Sequence, residues 1–154
     1  MEQVLQYEIP VLHPLVVHFP VVLIVVAAGM LIVWSIRGTS FWRRTGLLLL
    51  TLGMVGALFS YFTGEALEEH VEGTPIVEEL VHLHEDMALY SLIVTGAALL
   101  GLAGLSVWLE RRTTLERDPQ DPLIPRIAIT VLAVAAAVLI AWTGHIGSTM
   151  VWGV

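Results

Sequence analysis

Six histidines, at positions 13, 18, 70, 82, 84 and 145, are the side chains of this 154-residue sequence best suited to metal chemistry. A neutral imidazole is a good ligand for zinc, copper or haem iron. The sequence has no cysteine. That excludes disulfides, thiolate metal sites, iron–sulfur clusters and thioether-linked haem. Two of the histidines stand close together in His13-Pro-Leu-Val-Val-His-Phe-Pro20, at the opening of a long apolar run. Pro14 suits the first turn of a helix, where its missing N–H would have had no partner. Pro20 sits further in, frees the carbonyl of Val16 and is expected to bend the helix just below His18. Imidazoles and a loosened carbonyl are costly to place near lipid, and that cost points to function.

The elements that must position these groups are apolar and long. Hydrophobic residues make up 56% of the chain and charged residues 14%, too little charge for the surface of a soluble protein of this size. Four segments approach the ~20 residues needed to cross a bilayer. The expectation is one all-α domain over residues 1–154, an integral membrane four-helix bundle with helices at about 13–37, 41–69, 75–111 and 125–146. The N-terminus lacks a basic region and a small-residue cleavage site, so no cleavable signal peptide is expected.

Charge sets the orientation. All seven arginines (37, 43, 44, 111, 112, 117 and 126) fall around the connections after the first and third segments. The positive-inside rule then predicts cytoplasmic arginine loops and both termini outside. All six histidines and ten of the fourteen acids lie on that outer side. Trp34, Trp42 and Trp108 mark the inner interface, Trp142 and Trp152 the outer one.

Helical spacing then sorts the faces. Gly46, Gly53, Ala57, Ser60 and Gly64 share a narrow sector of the second helix, and Ala88, Ser91, Thr95 and Ala98 share one on the third. Such small-residue stripes let membrane helices approach closely. His84 continues the third helix's stripe and is expected to point into the bundle. His82, about 200° further round, looks outward, and His70 lies in an acidic loop. His18 shares a face with Gly29, and His145 closes the fourth helix. Counting from Arg37 and Arg126 puts His18 and His145 at one depth, about 28 Å from the arginines. On the same count His13 lies roughly 7 Å higher and His84 roughly 12 Å higher.

Imidazoles at one end of a membrane bundle suit a haem b iron held between two histidines. His13, His18, His84 and His145 are the ligand candidates. Gly53 and Gly64 would give a flat porphyrin room against the second helix. Two imidazoles and an iron span roughly 13 Å between Cα atoms, more than the separation of adjacent helices. That favours a diagonal pair, His13 or His18 with His84, whereas the depth count allows either one cluster or two tiers, His18 with His145 below and His13 with His84 above. A bare zinc or copper ion on the same four histidines, with Glu65 or Glu69 nearby, is the alternative cofactor. A structural or assembly subunit, with the histidines hydrogen-bonded at the bundle mouth, is the third reading. Without a cysteine nucleophile or a recognisable serine–histidine pair, an electron-transfer protein or subunit is expected rather than a stand-alone enzyme. The expected surroundings are the lipid bilayer and a periplasmic or quinone-linked redox carrier, with no nucleic acid.

Several of these motifs resemble one family. The HPLVVHFP opening, Thr63-Gly64, the His84 entry, Thr143-Gly-His-Ile-Gly147 and the closing Val151-Trp-Gly153 are similar to the bacterial membrane proteins grouped as domain of unknown function 2231. The resemblance runs from His13 onward. Where that family's ending commonly has a further glycine and a histidine, this chain has Ser148 and Trp152. Its members often occur fused to, or beside, c-type cytochrome domains, which implies a redox role.

Overall fold

The computed structural model describes residues 9–68, 75–112 and 120–152. Their chain order is α1 (Ile9–Val16), α2 (His18–Arg37), α3 (Ser40–Glu68), α4 (Pro75–Arg112) and α5 (Leu123–Trp152). Among the described residues, four stretches are long and apolar enough to cross a membrane: Leu12–Arg37, Ser40–Glu65, Glu79–Arg112 and Leu123–Met150. The fold is an all-α, membrane-spanning four-helix bundle. Neighbours in contact are α2 with α3, α3 with α4, α4 with α5 and α5 with α2. That leaves α2 and α4 across one diagonal of the bundle, and α1 packs chiefly on α3. Large apolar side chains cover the outside, with Ile36, Leu100 and Ile124 at least three-quarters exposed. Lipid solvates such a surface as well as a protein core does.

At Pro20 the first span loses one helical hydrogen bond, because proline has no N–H for the carbonyl of Val16. Val17 keeps helical dihedrals (φ −59°, ψ −24°), its N–H donates to the His13 carbonyl at 3.1 Å, and its own carbonyl accepts from the Val21 N–H at a long 3.4 Å. Pro14 is not in a first turn, because the helix already begins at Ile9 and Pro14 lies inside α1. At the other end of the chain, α5 runs on through Gly144 to Trp152 instead of stopping near His145. Two glycines cost a helix only about 1 kcal/mol each relative to alanine, and Ile146 is buried between them.

The small stripe of α3 is a packing surface for α2. A Cβ on Gly46 would meet Leu31 Cδ2 at 2.6 Å, and one on Gly53 would meet Ile24 Cγ1 at 2.8 Å. Around it, Ala27, Leu31, Trp34, Leu50, Ala98, Leu102 and Ala133 form a fully buried layer.

The two arginine-bearing connections meet at one end. Gly38 closes α2 in the left-handed region (φ 68°), and its N–H donates to the Trp34 carbonyl at 2.8 Å. Its own carbonyl accepts from the Asp121 N–H at 2.9 Å. Asp121 is buried and takes two further bonds, from Trp34 Nε1 at 2.8 Å and Arg43 Nη1 at 3.0 Å. The Arg126 guanidinium occupies the space a Cβ on Gly38 would need. Glycine is required there twice over, for its φ and for its missing side chain.

Candidate functional site

At the end opposite the arginines, His13 of α1 and His84 of α4 face each other. Their ring centroids are 6.5 Å apart and their planes meet at 78°. Each ring is backed by a glycine of the neighbouring helix. A Cβ on Gly64 of α3 would lie 3.1 Å from His13 Cε1, and one on Gly147 of α5 would lie 3.2 Å from His84 Cε1. All four spans therefore contribute to one pair of imidazoles.

The hydrogen bonds of His13 assign its proton. Its Nδ1 lies 3.1 Å from Thr63 Oγ1. The Thr63 hydroxyl has a single proton and lies 3.1 Å from the Phe59 carbonyl and 3.0 Å from that of Ser60. With that proton shared between carbonyls, Oγ1 accepts from Nδ1–H of the imidazole. The lone pair of His13 is then on Nε2, the atom a metal would take. On the other side of the pair, the Thr143 main-chain carbonyl is directed at His84. Nδ1 of His84 is nevertheless buried without a hydrogen-bond partner.

The remaining candidates go elsewhere. His18 and His145 are both exposed, and His145 packs beside Trp142 with ring centroids 5.6 Å apart. Five residues turn His18 about 140° round the helix from His13, and nothing lies within 4 Å of a Cβ on Gly29, so the face His18 was expected to share with it is not turned inward. Gly53 is filled by Ile24 of α2 and lies eleven residues, about 16 Å, below Gly64. It offers no flat surface beside the histidines. Glu65 and His82 are exposed, and His70 and Glu69 lie outside the described residues. Among the described residues, no three histidine or carboxylate side chains gather as a metal-binding group. Thr63 and Gly147 were not among the candidates. Gly147 becomes legible once α5 is carried past Gly144, since it then falls one turn above Thr143.

A family model described as a predicted membrane protein, domain of unknown function 2231, matches residues 9–154. The chain belongs to that family. No curated protein and no solved structure matches it. In this member of domain of unknown function 2231, the matched region includes both facing histidines, the Thr63–Gly64 seat and Gly147.

Proposed function

We propose that this membrane protein holds haem b between His13 and His84 and passes electrons at its histidine end. The observation that carries the reading is the separation of the two rings. Two imidazoles bound end-on to opposite sides of one iron, with metal–nitrogen bonds of about 2.0 Å, have centroids about 6.3 Å apart. His13 and His84 stand at 6.5 Å with nearly perpendicular planes. A tetrahedral zinc or copper ion would draw two such rings to about 5 Å and needs further protein ligands. The donor set fits haem in a second way: Thr63 hydrogen-bonds Nδ1 of His13 and leaves Nε2 for a metal.

Bound there, haem b would accept and release one electron. The protein's part is to hold two neutral imidazoles at a fixed distance, with Gly64 and Gly147 limiting how far each ring can retreat. The arginine end faces the cytoplasm and the histidine end the periplasm of a bacterial inner membrane, following the positive-inside rule. The electron partner is then a periplasmic c-type cytochrome or a quinone-linked carrier. An absorption spectrum tests the reading directly. Protein purified from cells supplied with ample haem gives a Soret band and, on reduction, a sharp α-band. Neither band in folded protein would refute it.

A further inference from the structure

Several side-chain hydroxyls of the described helices satisfy themselves locally. Those of Ser35, Thr51, Thr63, Thr143, Ser148 and Thr149 all donate to a carbonyl three or four residues earlier. Three hydroxyls near the histidine pair do not. Ser60, Ser91 and Thr95 are each more than nine-tenths buried, and none of their hydroxyls has a hydrogen-bond partner within the protein. They occupy the inward faces of α3 and α4. Ser91 lies seven residues beyond His84 and Thr95 eleven, so the two hydroxyls sit about 10 and 16 Å below that histidine on the same face. Ser60 approaches from α3, one turn below Gly64. An unsatisfied hydroxyl in a membrane interior costs on the order of a few kcal/mol, and here three are stacked beneath an imidazole whose Nδ1 also lacks a partner. Below them the seam is lined by Ala98, Leu102, Leu31 and Leu50, whose side chains carry no polar group to hold a water.

We infer that Ser60, Ser91 and Thr95 bind a short file of water that enters at the histidine end and ends blindly at Thr95. Water is the partner that fits, because each hydroxyl needs one small group able both to donate and to accept. The file gives the buried imidazoles a polar floor, which lowers the cost of placing charge at that depth. It does not cross the bundle, since the apolar layer separates it from Arg43, Asp121 and Arg126. The inference stands whether or not haem binds, because it concerns hydroxyls of the protein alone.

The absence of native cysteine allows a direct test. Single cysteines at Ser60→Cys, Ser91→Cys, Thr95→Cys, Ala98→Cys and Leu102→Cys are treated in proteoliposomes with a small cationic methanethiosulfonate reagent. A thiol reacts as its thiolate, which forms only where water reaches it. The cysteines at 60, 91 and 95 should react at least about tenfold faster than those at 98 and 102. Equally slow reaction at all five positions would overturn the inference. So would fast reaction at 98 and 102, because it would remove the blind end. Variants are first shown to fold by their unaltered thermal transition. Because the labelling is read in haem-free and haem-supplied preparations separately, failure of the haem reading alone leaves the expected rates in place.

Discussion

His13 and His84 come from the first and third membrane spans, and the centres of their rings are 6.5 Å apart. If they grip one iron, their removal should be distinguishable from removal of the other outer histidines. His13→Ala and His84→Ala should each abolish the low-spin haem spectrum. His18→Ala and His145→Ala, at exposed positions, should leave it intact. His84→Met adds a sharper test. Methionine opposite histidine raises the potential of a haem, so the variant should retain the cofactor and titrate at a higher midpoint in a redox titration.

The choice between His13 and His18 shows what the sequence could and could not specify. Four spans, the clustering of arginines and the inward faces of α3 and α4 follow from hydropathy, charge and a 100° rotation per residue, and all are legible. Gly46, Ser60, Ser91, Thr95 and Ala98 are indeed buried. The histidines of the first span are harder, because that span is apolar all round and its pattern does not mark an inward face. His13 and His18 lie about 140° apart on a helical count, and hydropathy alone does not say which of them meets α3 and α4. The end of α5 was hidden for the opposite reason. Its glycines read as a terminus, but burial of Ile146 outweighs their helix cost and carries Gly147 up beside His84.

Glycines of the same helix should behave differently on substitution. Gly64→Ala places a Cβ 3.1 Å from His13 Cε1, and Gly147→Ala places one 3.2 Å from His84 Cε1. Each should push a ring by a few tenths of an ångström and lower haem occupancy while leaving the bundle folded. Gly53→Ala meets Ile24 Cγ1 at 2.8 Å, far from the histidines. Overpacking there should cost about 1–3 kcal/mol of stability and leave the absorption bands of the folded fraction unchanged. Thermal unfolding and haem content, measured on the same samples, separate the two effects.

The arginine end should be the most sensitive place for stability. Asp121→Ala leaves Arg43 and Trp34 buried without their shared acceptor. Breaking a buried charge pair from one side costs about 3–5 kcal/mol. The exposed pair of Arg44 and Glu110, at 3.3 Å, is the control. Glu110→Ala should change stability by less than about 1 kcal/mol. Denaturant unfolding in detergent measures both, and a comparable loss from the two substitutions would contradict the role given to Asp121.

Thr63 provides the most selective test of the site, since it touches no metal and acts only through His13. Its hydroxyl hydrogen-bonds the imidazole at Nδ1 while its proton goes to main-chain carbonyls, which leaves Nε2 as the donor atom. Thr63→Val keeps the shape and removes the acceptor. The ring can then adopt the other tautomer or rotate, and loss of such a supporting bond commonly weakens metal binding by about 10- to 100-fold. Thr63→Ser restores the oxygen and should restore affinity. Haem titration of the three proteins, with thermal unfolding as the control for folding, gives the answer. If valine and serine bind haem equally well, the Nδ1 bond has no part in presenting His13 to iron.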